Sequence, residues 1–254
     1  MLYYFIIILV LLFLIIFNNY GKKYVLSFFY YFFQPKLIYL TPIKFNNNII
    51  IANHNSFIDF ILIFSNFTDT KFLYKKELDY IPIISHYLSL DNHIGVNRDY
   101  KKDIHKLINN KHSKIALFPE GTRSNPTKIK QSKDFIIKNN LPFLKNLLYP
   151  RPKGLFYLLQ NPNIKSLIDI TILYSKNFNT LFNLYPKSYL IIKEIPKHNI
   201  PIHNYQKFKN YLFHLWIKKD KIISHFNIPF HSNFIFYFLF NFIIIRLILF
   251  FLNP

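Results

Sequence analysis

Asn48-Ile49-Ile50-Ile51-Ala52-Asn53-His54-Asn55-Ser56-Phe57-Ile58-Asp59 is the stretch from which the rest of the chain can be read. Its first half is a short, β-branched apolar run behind the turn-forming pair Asn46 and Asn47, and it reads as a buried strand. A second apolar run, Phe60-Ile61-Leu62-Ile63-Phe64, leads out. Ser56 is a good helix N-cap, and Asp59 falls three residues later, where a carboxylate suits a helix start. His54 is therefore expected in the turn between a buried strand and a helix, with Asp59 one turn into that helix. A carboxylate there can hold one imidazole nitrogen and leave the other as a base. Spacing alone is a weak signal, because His86 and Asp91 share the same offset. That second pair has neither a preceding strand nor a cap and reads as a polar turn.

Composition narrows the function. Hydrophobic residues make up 51% of the 254 residues and aromatics 20%, which is high for a soluble protein, and much of the excess lies at the two ends. The net charge of +20 points to an anionic partner: membrane phospholipid, nucleic acid or a phosphorylated substrate. With no cysteine, disulfides, thiolate metal sites and a cysteine nucleophile are excluded. Lysine, isoleucine, asparagine and phenylalanine are so common that the scarce residues are more informative. Gly95 lies near Arg98, Gly121 near Glu120 and Arg123, and Gly154 near Arg151. In a chain whose default cation is lysine, arginine offers a planar fork suited to phosphate or carboxylate.

Residues 2–17 carry no charge and, as a helix, span about 24 Å, somewhat short of a ~30 Å hydrocarbon core. Asn18, Asn19 and Tyr20 extend the run toward the interface. No basic residue precedes it and no small-residue cleavage site follows, so an uncleaved anchor is expected. Lys22 and Lys23 then put the remainder on the cytosolic side. Val25 to Phe33 suits a helix lying on the membrane surface. Residues 234–252 form a second apolar run, broken by Asn241 and Arg246, and are expected to be buried in the membrane.

The middle of the chain alternates strands and helices. Strands are expected at 70–74, 114–118, 168–174 and 188–192. Helices are expected after Asp99, with Tyr100, Ile104, Leu107 and Ile108 as the apolar stripe, over Lys128 to Asn139, and along Tyr205, Phe208, Leu212, Leu215 and Trp216. This alternation predicts an α/β fold with a mostly parallel central sheet flanked by helices, carried between N-terminal and C-terminal membrane helices.

A second motif, Leu117-Phe118-Pro119-Glu120-Gly121-Thr122-Arg123-Ser124, follows the strand at 114–118. It reads as a strand-to-loop turn in which glycine permits an unusual backbone angle while threonine and arginine offer donors to an anion. A His-x₄-Asp after a strand, a Gly-x-x-Arg at Gly95 and Arg98, and then Phe-Pro-Glu-Gly-Thr-Arg-Ser resemble, in order and spacing, the motif series of the glycerolipid acyltransferase family. The likeness covers roughly residues 45–195. Three stretches are similar to the eukaryotic branch that holds 1-acylglycerol-3-phosphate and lysocardiolipin acyltransferases. They are Lys75-Lys76-Glu77-Leu78-Asp79-Tyr80-Ile81-Pro82, Pro150-Arg151-Pro152-Lys153-Gly154 and Asp169-Ile170-Thr171. The chain departs from the usual pattern at Val96-Asn97, where an aromatic residue is often found.

The resemblance implies direct acyl transfer from acyl-CoA, as co-substrate, to the free hydroxyl of a lysophospholipid, with 1-acylglycerol-3-phosphate as the best guess and no further cofactor or metal. His54 would be the general base and Asp59 its orienting acid. Arg98, Glu120, Gly121, Thr122 and Arg123 would bind the phosphate and glycerol. It further implies three parts, an anchor and interfacial helix at 1–34, an acyltransferase domain at 35–230 and a C-terminal membrane segment at 231–254. The partner is then the phospholipid bilayer rather than nucleic acid, and the location a membrane with the catalytic domain cytosolic, the endoplasmic reticulum in a eukaryote. Other lysophospholipid acceptors, of lysocardiolipin or lysophosphatidylinositol type, and a non-catalytic lipid-binding relative are the competing readings. A metal hydrolase is disfavoured, since no His-Glu-x-x-His set occurs.

Overall fold

The computed structural model describes residues 35–226 apart from positions 45, 57, 68, 81–84, 86–87, 89–92, 98–99 and 175–187. The two expected membrane segments, the interfacial helix and Arg98 lie outside the described residues. Among the described residues no helix is long and apolar enough to cross a membrane.

The strands are β1 (Lys36–Tyr39), β2 (Asn48–Ala52), β3 (Lys71–Lys75), β4 (Ile94–Val96), β5 (Lys114–Leu117), β6 (Ser166–Tyr174) and β7 (Ser188–Pro196). The helices are α1 (Ile58–Asn66), α2 (Tyr100–Ile108), α3 (Pro126–Gln131), α4 (Lys133–Lys138), α5 (Pro152–Gln160) and α6 (Tyr205–His225). The strands form one sheet in the order β1-β7-β6-β2-β5-β3-β4. All its pairings are parallel except the antiparallel ladder between β6 and β7. The expected α/β fold with a mostly parallel central sheet is therefore the one observed.

β2 lies at the centre, between β5 and β6, and all five of its residues are buried. A strand covered on both faces needs no polar alternation, which is why its sequence is a continuous apolar run. Ile49 and Ile51 join a core built with Leu107 of α2, Leu155 and Leu158 of α5, and Phe208, Leu212 and Trp216 of α6. Ile50 and Ala52 face the other way, onto Ile58, Leu62 and Ile63 of α1. The chain leaves β2 toward β3 on one side, and β6 arrives on the other, so the carboxyl end of β2 opens where strand order reverses. In open α/β sheets this is where ligands bind.

The expected single helix over 128–139 is two helices, α3 and α4, meeting at Ser132. The Ser132 hydroxyl donates to the Ile129 carbonyl at 2.7 Å, and such side-chain competition for helix carbonyls bends or breaks a short helix. β7 runs beyond the expected 188–192 to Pro196, because its antiparallel partner β6 is itself nine residues long. α6 is pinned to the sheet through buried charge. Lys219 lies 2.6 Å from Asp169 on β6 and its ammonium sits over the Trp216 ring, while Asp220 accepts from the backbone N–H groups of Lys145 and Asn146 at 2.9 and 2.7 Å.

Candidate active site

The site grows out of the turn after β2. Asn53 prolongs the β2–β6 ladder with its side chain: the amide oxygen accepts from Ile172 N–H at 2.8 Å and the amide nitrogen donates to the Ile172 carbonyl at 3.1 Å. His54 follows and leaves the sheet. Asp59, in the first turn of α1 and with no exposed surface, reaches back to it. One carboxylate oxygen, Oδ2, lies 2.9 Å from His54 Nδ1 and also accepts from the backbone N–H groups of Asn55 at 2.7 Å and Ser56 at 2.8 Å. The bond to Ser56 is half of a capping box, so the helix start and the imidazole share one acid. The Ser56 hydroxyl accepts from Ile58 N–H at 3.3 Å, as a cap should. The other oxygen, Oδ1, accepts from the Tyr174 hydroxyl at the end of β6. Burial, with the Asp59 charge added, pushes the Tyr174 phenol well above its ordinary range, so it stays a donor.

A carboxylate has no proton to give, so Nδ1 facing Asp59 must carry one. That fixes the tautomer and leaves Nε2 with its lone pair. Among the described residues Nε2 has no hydrogen-bond partner, and the His54 side chain keeps 19% of its surface exposed beside a wholly buried acid. The ring stacks on Phe118, centroid to centroid 4.2 Å at 17°. A held, oriented imidazole with one open nitrogen can act as a proton acceptor.

The turn after β5 is tied to the first one. Ser124 N–H donates to the His54 carbonyl at 2.7 Å, and the Ser124 hydroxyl to Asn55 Oδ1 at 3.1 Å. Glu120 supplies the third tie. It is 2% exposed, and its Oε1 accepts from His54 N–H and from Trp216 Nε1–H, both at 3.1 Å, while Oε2 accepts from Leu148 N–H at 3.3 Å. Burial pushes its carboxyl up to about 8, against these three donors, which favour the charged form. Glu120 is thus committed to the framework joining β2, β5 and α6, with its carboxylate turned inward.

Gly121 has φ +72, the left-handed region that glycine adopts without a Cβ penalty. Thr122 Oγ1 accepts from the Lys128 ammonium, which also reaches the Arg123 carbonyl at 3.3 Å. Arg123 is exposed. Of the expected site residues, His54, Asp59, Glu120, Gly121, Thr122 and Arg123 all belong to these two neighbouring turns. Of the Gly-x-x-Arg motif only Gly95 is described: it lies on β4, three strands from β2. A Cβ there would come within 3.0 Å of the Tyr74 ring, so this glycine is a seat for a tyrosine. Near it, His93 is buried, and its Nδ1 accepts from Phe72 N–H at 3.0 Å, a packing role. His86 and Asp91 lie outside the described residues. Among the described residues no group of three or more His, Cys, Asp or Glu side chains is placed to hold a metal ion.

Tyr174, Asn53 and Trp216 were missed as site residues. The register carries a signal for the first of these. Ala52 pairs with Ile170, and residues two and four further along β6 share its face, so Tyr174 extends past the end of β2 on the side of α1. Finding it requires the β2–β6 pairing, which sequence spacing alone does not provide.

The chain is similar in sequence to known acyltransferases. A probable 1-acyl-sn-glycerol-3-phosphate acyltransferase of Arabidopsis thaliana is 26% identical over 200 residues, covering 70% of this chain and 53% of that one. A 2-acyl-1-lysophosphatidylinositol acyltransferase of Saccharomyces cerevisiae is 32% identical over 126 residues, covering 43% of this chain and 32% of that one. The chain spans about half the length of the curated relatives it matches. In fold it is similar to the crystal structure of the 1-acyl-sn-glycerophosphate (LPA) acyltransferase PlsC from Thermotoga maritima, with a TM-score of 0.54 at 19% identity over 89% of this chain and 91% of that one. The Acyltransferase family model matches residues 41–174, more than half of the chain and the whole of both turns, so the protein belongs to the Acyltransferase family.

Proposed function

We propose that the protein transfers a fatty acyl group from acyl-CoA to the free hydroxyl of a lysophospholipid, with 1-acylglycerol-3-phosphate as the acceptor and phosphatidic acid as the product. The observation that carries this reading is the Asp59–His54 pair: Nδ1 is held at 2.9 Å by a fully buried carboxylate while Nε2 has no partner among the described residues. Nε2 takes the proton of the acceptor hydroxyl as its oxygen attacks the thioester carbonyl. The tetrahedral intermediate collapses, the carbon–sulfur bond breaks, and the proton on Nε2 goes to the departing CoA sulfur. Ester and CoA are the products, and His54 returns to its starting state. Asp59 stabilises the imidazolium that forms between these steps, as the buried acid does in a hydrolase triad. The nucleophile is the substrate oxygen, in keeping with the absence of cysteine and of a Gly-x-Ser-x-Gly elbow. Ser56 and Ser124 are occupied by capping and by the tie to Asn55.

Arg123 and Thr122 in the turn after β5, together with Arg98, would take the phosphate and glycerol. The lysine-rich surface and the apolar segments at 2–17 and 234–252 would keep the domain at residues 35–230 at the headgroup plane, each lysine near an anionic surface adding on the order of 1 kcal/mol. The relatives named for 1-acylglycerol-3-phosphate support the acceptor, and those named for lysophosphatidylinositol keep a second acceptor in view. Membranes carrying the protein are to be given acyl-CoA with a panel of lysophosphatidic acid, lysophosphatidylinositol, lysocardiolipin and glycerol-3-phosphate. Preferred acylation of lysophosphatidic acid is the expected result. Preference for another member reassigns the acceptor, and no transfer to any of them refutes the reading.

A further inference from the structure

The described residues contain two arginines, Arg123 and Arg151, and both flank the same residue, Gly121. Arg123 is two positions along the chain. Arg151 arrives from 30 positions away: its backbone N–H donates to the Pro119 carbonyl at 2.7 Å, which docks the start of α5 onto the turn. Its side chain then lies across Gly121. A Cβ built there would meet Arg151 Cδ at 3.4 Å, Nε at 3.5 Å and Cζ at 3.7 Å. These are ordinary contact distances, so the Arg151 side chain lies directly against Gly121.

Both arginines are exposed, and neither has an acidic or hydrogen-bonding side-chain partner among the described residues. The acidic side chains nearby are engaged elsewhere: Glu120 points inward to Trp216, and Asp59 is held by His54 and Tyr174. An exposed arginine with no side-chain partner among the described residues can turn its fork to an anion. The same turn touches the base, through Phe118 stacked on His54 and through Ser124 N–H on the His54 carbonyl.

We infer that Arg151 is a second phosphate-binding residue for the acceptor, closing with Arg123 on the phosphomonoester of the lysophospholipid across Gly121. This inference rests on the proposed function. In 1-acylglycerol-3-phosphate the phosphate and the hydroxyl to be acylated sit on adjacent carbons. Such an acceptor calls for a base and an anion site on neighbouring turns, and the turns carrying His54 and Arg123 are hydrogen-bonded to each other. Arginine's fork can take two phosphate oxygens at once, and lysine cannot reproduce it. The phosphates of CoA have the same chemistry, and the test separates the two sources.

Acyl transfer to 1-oleoylglycerol-3-phosphate is to be measured with full-length wild type, Arg151→Ala and Arg151→Lys in membranes, varying each substrate in turn. The expected result is an acceptor KM at least tenfold higher in Arg151→Ala, partly recovered in Arg151→Lys, with acyl-CoA KM unchanged and kcat within about threefold. An unchanged acceptor KM, or a rise confined to acyl-CoA, overturns the inference. Phenylglyoxal labelling of wild type, read by mass spectrometry, gives an answer independent of turnover and of how the variants fold. Arg123 and Arg151 are to be protected by 1-oleoylglycerol-3-phosphate and left unprotected by 1-oleoylglycerol. Equal labelling with either lipid overturns the anion site. Selective protection without acyl transfer by wild type upholds it while refuting the proposed function.

Discussion

The turns after β2 and β5 lie side by side at the carboxyl ends of two neighbouring parallel strands, yet they are built in opposite ways. The first closes on a side chain: Asp59, fully buried, satisfies His54, Asn55 and Ser56 with one oxygen and Tyr174 with the other. The second closes on backbone: a positive φ at Gly121, a bond from Gly121 N–H to the Phe118 carbonyl at 2.9 Å, and cations left outside. One turn uses the low dielectric of the interior to hold an imidazole at fixed orientation, and the other leaves Arg123 exposed. Glu120 and Ser124 tie the two turns together through hydrogen bonds to the His54 backbone. On the proposed function this is a division of labour, with pre-organisation in the buried turn and substrate capture in the exposed one.

Four changes break or sharpen this contrast. His54→Ala removes the base and leaves the buried framework, so transfer should fall by about 10²- to 10⁴-fold with little change in melting temperature, measured by product formation and calorimetry. Tyr174→Phe takes one donor from Asp59. A tenfold fall in kcat, equivalent to about 1.4 kcal/mol, with an unchanged acceptor KM would place its effect on the base side of the contrast. Gly121→Ala forces a Cβ into the left-handed region at a cost of about 1–2 kcal/mol and sets it in contact with the Arg151 side chain. It should lower the melting temperature by about 2–4 °C per kcal/mol and raise the acceptor KM more than it lowers kcat.

Glu120→Gln is the smallest and is read against pH. The folded-state value of about 8 lies above the ordinary 4.5, so the folded protein holds a proton there that the unfolded chain releases. Stability from this group is full below 4.5 and declines as pH rises through about 8. The melting temperature of Glu120→Gln should vary less with pH across that window than that of wild type, and parallel curves would contradict the assignment.

Much of the fold was legible because β2 is buried on both faces, and a continuous β-branched run has few other homes. The helix stripes at Tyr100 to Ile108 and Tyr205 onward were equally plain, since amphipathic spacing reflects a single covered face. Local chemistry hid the break at Ser132, where one hydroxyl bond outweighs a continuous pattern. Non-local pairing hid more. That Asn53 extends a strand ladder, that Tyr174 reaches Asp59, and that Trp216 holds Glu120 all depend on contacts across 96 to 119 positions. The motif turns were readable in sequence because each is contiguous. The scarce glycines near arginines turned out to serve different ends. Gly121 is conformational and Gly95 makes room for Tyr74, while nothing lies within 4 Å of a Cβ at Gly154.

The central claim is that acyl transfer is direct, with the acceptor hydroxyl as the only nucleophile. Its most direct test follows CoA release from radiolabelled acyl-CoA by the wild-type protein, with and without 1-acylglycerol-3-phosphate, and then examines the protein for bound label. The account predicts CoA released only with acceptor present, in equal amount to the ester formed, and no label on the chain. Release without acceptor, or a labelled chain, would contradict it.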